Sequence, residues 1–441
     1  MAAVSEARTN GGANKLQVAD LPVHGWYRFV LSYPPHLVRH YLDKFGIEAG
    51  QRVLDPFCGT GTTLVECKKQ GIASVGIEAH PLTHFAASTK VDWSPNPDGL
   101  RADAHQLAER VCVSLAEAGV PDDTMPLFGS SNGHHAGPLR GLSTDATKLL
   151  LRDSISPRPL HKALTLIDAL DLDADSAYVR HERLALAKAL VFTSSNLHFG
   201  PEVGVGKPKV DAPVVAPFLD NVTVMARDLD LVEHLRDVEA VVHHADSRQL
   251  LNVLEPNSVD AVITSPPYPN EKDYTRTTRL ESVLLGFVRD KHELRAVKQG
   301  LVRSNTRNVY KHDADDAWIA NFPEIERIAC EIEARRIELG KTSGFERMYA
   351  RVTKLYFGGM ARHLADLRTV LRPGAHLAYV VGDQASYLRV MIRTGQLLAE
   401  IGESLGYEVI GIDLFRTRLA TATKEQLREE AVILRWPGAK R

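Results

Sequence analysis

Two stretches of this 441-residue chain carry residue types spaced for chemistry, and the first is Thr264-Ser265-Pro266-Pro267-Tyr268. It follows the apolar run Val259-Asp260-Ala261-Val262-Ile263, which reads as a buried strand. Two consecutive prolines remove two backbone donors and fix two φ angles, so the strand ends there and the carbonyls point in preset directions. The Ser265 hydroxyl and the Pro266 carbonyl are then rigid acceptors. Tyr268 beside them offers a face for a planar ring, an interaction worth about 1–3 kcal/mol when the ring is a nucleobase. Taken alone, the five residues are better explained as a strand-ending turn.

The second stretch is Asp55-Pro56-Phe57-Cys58-Gly59-Thr60-Gly61-Thr62-Thr63, directly after the apolar pair Val53-Leu54. Glycines in a turn between strand and helix let backbone approach a ligand that a Cβ would repel. The loop has neither the GxGxxG spacing of a dinucleotide site nor the Gly-Lys-[Ser/Thr] of a P-loop. Glu78 stands at the tip of the next strand, where a carboxylate can accept from both hydroxyls of a ribose. Asp246, followed by Ser247, ends a third strand and can accept from an adenine amino group. One acid after each of three successive strands is the pattern of a nucleoside site at a topological switch point.

The elements that must position these residues alternate strand and helix. Residues 52–93 read as βαβα, which implies a parallel sheet. The rhythm breaks over 94–238, an inserted helical region with amphipathic stretches at 102–118 and 160–190, and resumes at 239. A second helical insertion covers 279–345. A helix over 389–405 and strands over 376–381, 407–414 and 431–436 follow, the last two too close for a crossover and therefore an antiparallel hairpin. The expectation is an α/β fold with a seven-stranded, mostly parallel sheet, residues 21–93 and 239–441 forming one unit behind a disordered tail over 1–20.

Composition narrows the partners. The formal charge is −2, which argues against a protein that coats nucleic acid through one wholly basic face. Seven Lys or Arg residues nevertheless lie between Arg289 and Lys311, just past the Pro-Pro-Tyr element. The four cysteines form no CxxC pair and no His/Cys cluster with metal spacing, so neither a disulfide framework nor a metal site is expected. No window approaches the ~20 apolar residues of a membrane span, and a cytoplasmic location is expected.

Together the two motifs resemble a known family. Asp55 to Thr63 is similar to the DPFxGxGTT loop, and Ser265 to Tyr268 to the [Ser/Asp/Asn]-Pro-Pro-Tyr tetrapeptide, of bacterial site-specific DNA amino-methyltransferases, the N6/N4 family. The resemblance covers about residues 23–93 and 238–436. It implies a Rossmann-like methyltransferase fold and S-adenosylmethionine as cofactor, contacted by Asp55, Phe57, Cys58, Gly59, Gly61, Thr62, Thr63, Glu78, Asp246, Ser247 and Thr264. Trp26 and Tyr33 lie in a segment that resembles the element packed over the methionine end of the cofactor. It also implies catalysis by Ser265, Pro266, Pro267 and Tyr268 on a base flipped out of double-stranded DNA. A leading serine is the form typical of cytosine-N4 enzymes; adenine N6 is the alternative, followed by an RNA base methyltransferase or a non-catalytic DNA-binding relative in a defence system. A cognate restriction endonuclease or defence-system protein is the implied partner, and monomer and homodimer both stay open. The first insertion is a candidate for target recognition, with Lys207 and Lys209 toward phosphates; Arg276, Arg279, Arg303 and Arg307 are the rival DNA contacts.

Overall fold

The computed structural model describes residues 16–28, 32–122, 138–200, 202–419 and 426–439. Nine strands follow in chain order among them: β1 (Arg52–Asp55), β2 (Ala73–Glu78), β3 (Leu197–Phe199), β4 (Val203–Val205), β5 (Ala240–His244), β6 (Val259–Thr264), β7 (Leu371–Gly382), β8 (Glu408–Leu419) and β9 (Gln426–Arg435). Seven of them make one sheet in the order β5-β2-β1-β6-β7-β9-β8, and β3 and β4 form a separate hairpin. From β5 to β7 all neighbours are parallel. β9 inserts antiparallel between β7 and β8. This is the expected Rossmann-like α/β arrangement, its last two strands a hairpin.

The apolar runs are continuous because both faces of the sheet are covered. Along β6, Val259 and Val262 face a core built with the helices Pro323–Glu338, Tyr349–Leu367 and Thr394–Ser404. Ala261 and Ile263 of the same strand face Leu37, Val38, Tyr41 and Leu42 of the helix Pro35–Phe45. Helix starts follow local chemistry. Pro81 opens Pro81–Lys90 at a position where its missing N–H is no loss, and the Asn96 carboxamide accepts from Gly99 N–H at 2.8 Å to begin Pro97–Glu117.

Between β2 and β5 the helices Pro97–Glu117, Pro157–Leu172, Val179–Ala189 and Val215–Val232 share one core with Trp26, Leu64, Val65 and Leu82. Asp122 ties this segment together: its carboxylate accepts from the N–H groups of Val214, Val215 and Ala216 at 2.9, 2.7 and 3.2 Å, capping the last of those helices. The β3–β4 hairpin reaches from it toward the C-terminal ends of the parallel strands. Residues 123–137, a Gly/Ser/His-rich stretch of this segment, lie outside the described residues, as does the tail expected over 1–20 up to residue 15. Val18–Asp20 forms a 3-10 turn whose Asp20 is buried and pairs with Arg39 at 2.9 Å.

Three expectations are corrected. The helix expected over 389–405 is Thr394–Ser404. Its first five positions close a loop instead, with Gln384 and Ile392 exchanging hydrogen bonds of 3.0 and 2.7 Å and Leu388 and Arg389 at φ 55° and 65°. β8 and β9 extend beyond the apolar runs that announced them, as an arm of alternating charge in which Arg416 meets Glu429 across the strands. The amphipathic stretch 160–190 is two helices parted by a turn at 173–178.

Candidate active site

The C-terminal ends of β1, β2, β5, β6 and β7 converge, and Asp55 is the knot between two of them. It is fully buried; Oδ1 accepts from Phe57 N–H at 3.1 Å and from Thr264 Oγ1 at 2.6 Å, while Oδ2 lies 2.6 Å from Thr63 Oγ1. Thr63 Oγ1 is also 3.0 Å from the Ile263 carbonyl and touches the Tyr33 hydroxyl. One carboxylate thus fixes the glycine loop against the base of the Pro-Pro-Tyr turn. Burial raises the Asp55 carboxyl to about 6, with those hydrogen bonds pulling the other way.

The loop itself is pinned by backbone. Cys58 N–H donates to Ile77 O at 3.1 Å and Gly61 N–H to Cys58 O at 2.7 Å. Gly61 has φ 82°, and a Cβ there would stand 3.3 Å from the Ala87 Cβ. Lys90, buried beneath, donates to the Thr60 carbonyl at 2.9 Å, and desolvation lowers its ammonium to about 7. Glu78 accepts from Gly59 N–H and His80 N–H, both at 2.8 Å. Burial outweighs these bonds and raises its carboxyl to about 7.

At the end of β6 the Ser265 hydroxyl donates to the Val380 carbonyl of β7 at 3.0 Å. With its proton directed there, its oxygen, which also neighbours the Tyr268 hydroxyl, keeps a lone pair to accept from a ligand. Pro266 is buried and Tyr268 half-buried. Behind the tyrosine ring lies Gly382, where a Cβ would come within 3.2 Å of Tyr268 Cε2. Asn270 N–H donates to Tyr268 O at 2.8 Å. The second insertion braces the chain beyond: Lys298 Nζ meets Asp273 at 2.9 Å, Asn305 Nδ2 donates to Lys272 O at 3.1 Å, and Thr306 Oγ1 donates to Glu271 at 2.8 Å.

A cavity of about 750 Å³ joins these parts. Tyr33, Phe57, Cys58, Gly59, Thr62, Glu78 and Ser247 line it together with Ser265, Pro266, Pro267 and Tyr268. Asp55, Gly61, Thr63 and Thr264 stand behind its wall. Asp246 is turned to Arg248 at 2.6 Å, which also pairs with Asp315 at 2.6 Å, and it is Ala245 and Ser247 that reach the cavity. Trp26 does not reach it: fully buried, it donates from Nε1 to Asp228 Oδ2 at 2.9 Å and meets His181 edge-on.

The basic candidates for DNA contact divide by burial. Arg303 is 5% exposed, its guanidinium held by Asp313 at 2.9 Å and by the Lys298 and Gln299 carbonyls, so in this structure it reads nothing outside the fold. Arg279 bridges the insertions, donating to Thr275 O at 2.9 Å and Leu149 O at 3.2 Å. Lys209 Nζ donates to Thr193 O at 2.7 Å, although the residue is exposed. Arg276 is half-buried, 3.9 Å from Glu202 at the cavity rim. Lys207 is exposed, as is Arg307, which lies 5.5 Å over the Phe345 ring.

Sequence reasoning missed Lys272, Tyr274, Asn308, Gln384, Phe415, Arg416 and Arg418, all of which line the cavity. Gln384 had a signal, since it follows the end of β7 as Phe57 follows β1 and Ser265 follows β6. The arm residues had none, because a register shift between Leu414 and Arg416 turns Phe415 and Arg416 toward the same space.

Residues 8–87 match the family model described as DNA methylase. The type II methyltransferase M.BsoBI of Geobacillus stearothermophilus is 25% identical over 455 residues, covering 96% of this chain and 85% of its own. The type II methyltransferase M.AvaI of Nostoc sp. strain PCC 7120 is 23% identical, with 94% and 87% covered. M.MjaII of Methanocaldococcus jannaschii, also a type II methyltransferase, is 38% identical over 69 residues, 16% of this chain and 13% of its own.

Proposed function

For a chain that is a relative of the type II DNA methyltransferases, we propose transfer of a methyl group from S-adenosylmethionine to the exocyclic N4 of a cytosine flipped out of double-stranded DNA. The observation that carries this reading is the Ser265–Val380 hydrogen bond, which leaves a serine lone pair as an acceptor in the same cavity as the glycine loop. An exocyclic amine conjugated with its ring is a poor nucleophile. Acceptors at Ser265 Oγ and Pro266 O draw its two hydrogens out of the ring plane and expose the nitrogen lone pair. No strongly ionised base is required to start the attack; the proton that the methylated nitrogen must then release passes from its hydrogen bond at Ser265 Oγ to solvent. Tyr268 stacks on the base and holds it for in-line attack, and positioning of this kind supplies most of the rate.

The cofactor side fits S-adenosylmethionine on two counts. The Phe57–Gly59 backbone forms a cavity wall, and Glu78 keeps lone pairs there beyond its two backbone bonds. Tyr33, Phe57, Cys58, Gly59, Thr62, Glu78 and Ser247 would hold it, and it supplies the activated methyl. A cognate restriction endonuclease fits the same reading.

Expression in a methylation-deficient host, digestion of the DNA and mass spectrometry of the nucleosides tests the assignment. N4-methylcytosine is the expected product; N6-methyladenine would move the acceptor to adenine, and unmodified DNA beside methylated RNA would overturn the DNA substrate.

The Glu78 carboxyl gives a pH dependence with a definite sign. The ionised form can accept from both ribose hydroxyls while the protonated form loses acceptor sites to its own proton, so cofactor affinity rises as pH passes about 7 and levels off above it. Stability runs the other way: with the folded value raised above the unfolded, this group's contribution is complete below the ordinary carboxyl range and lost as pH rises through about 7. Calorimetry from pH 6 to 8 checks the first slope, and Glu78→Gln should bind weakly with no slope. A wild-type affinity that is flat across this range would remove Glu78 from the cofactor site.

A further inference from the structure

Asn308 is 1% exposed and lines the cavity, yet neither its Nδ2 nor its Oδ1 has a hydrogen-bond partner among the described residues. Its neighbours are not left so. Asn305 donates to Lys272 O, Thr306 to Glu271, and the Tyr387 hydroxyl to Ser304 O at 3.0 Å. Buried carboxamides are paired in folded proteins, and an exception in the wall of a cavity marks a group whose partner is a ligand.

The same three bonds say which ligand. They anchor residues 304–308 to the chain leaving Tyr268 and to the segment following β7, the side of the cavity that holds Ser265 and Tyr268. A carboxamide sets a donor beside an acceptor, which matches the edge of a base where an unprotonated ring nitrogen adjoins an amino-bearing carbon. Cytosine N3 and N4 form such an edge, as do adenine N1 and N6.

We propose that Asn308 binds the ring edge of the target base, Nδ2 donating to the ring nitrogen beside the amino-bearing carbon and Oδ1 sharing the nearer amino hydrogen with the Pro266 carbonyl. The base is then held by its face on Tyr268 and by its edge on Asn308, which fixes its rotation in the plane of the ring. That rotation decides whether the amino hydrogens meet Ser265 Oγ and Pro266 O. The assignment rests on the reading of the cavity as an amino-methyltransferase site.

The test uses the full chain and a duplex carrying the site at which its methylation is mapped, beside the same duplex abasic at the target position. Wild type should bind the intact duplex more tightly than the abasic one. Asn308→Ala and Asn308→Leu should both lose that preference, and kcat/KM for the intact duplex should fall about 10- to 100-fold. Affinity for S-adenosylmethionine should stay within about twofold, the scale expected when no hydrogen bond is lost. Asn308→Leu should melt at or above the wild-type temperature, because it removes an unpaired polar group from the interior, whereas a structural asparagine would lower it. A retained preference for the intact duplex, or cofactor affinity falling in step with turnover, would overturn the assignment to the base. Wild-type protein that leaves DNA unmodified would overturn the underlying reading as well, before any variant is made.

Discussion

Tyr268→Ala is expected to lower kcat/KM for DNA by about 100-fold or more while S-adenosylmethionine binds as before. Stacking of about 1–3 kcal/mol per base is lost with the ring, and a base free to shift by about 1 Å forfeits a further factor on the order of 100 in rate. The ring is half-buried against Gly382, on the side of the cavity that Ser265 shares and away from Glu78. Tyr268→Phe keeps the face and should retain most of the turnover. Steady-state kinetics and calorimetry on the same preparations separate the two sites. Loss of cofactor binding in Tyr268→Ala would place the ring in the wrong half of the cavity.

Gly61→Val should abolish measurable cofactor binding. A β-branched residue at φ 82° is strained by about 1–3 kcal/mol. Its Cβ would press on Ala87 at 3.3 Å from Cβ and 3.4 Å from Cα, contacts that the helix Pro81–Lys90 can relieve only by moving. Overpacking of this kind adds about 1–3 kcal/mol. Loop and helix cannot both keep their places, and the Cys58–Gly59 backbone leaves the cavity wall. Calorimetry reads the loss, and circular dichroism shows whether the rest of the sheet persists. Unchanged affinity in a folded variant would refute the role given to this loop.

The parts legible in sequence were those where one residue's conformation decides the outcome. Two prolines had to end β6, and a run with four apolar residues in five had to be a strand covered on both faces. The glycines at 59 and 61 marked a turn whose backbone can approach a ligand, and both have positive φ. What escaped was decided by partners that only the fold brings together. Trp26 looked like a ligand-facing aromatic, but Asp228, 202 residues away, draws its indole N–H inward. Arg303 read as a free cation although its partners are close in sequence, because only the folded turn wraps Asp313 and the Lys298, Gln299 and Leu301 carbonyls around its guanidinium. Asn308 sits in a polar string, Ser304-Asn305-Thr306-Arg307-Asn308, in which nothing local distinguishes the unpaired amide from the paired ones.

The position of β9 sets an order of assembly. β8 joins the sheet only through β9, and β9 is synthesised after both strands it separates. Until it arrives, the edge of β7 opposite β6 and Ser265 is open, and Leu427 and Glu429 are missing from the cavity. A chain still on the ribosome can therefore complete its glycine loop early, but it cannot close the acceptor side of the cavity until β9 has been made.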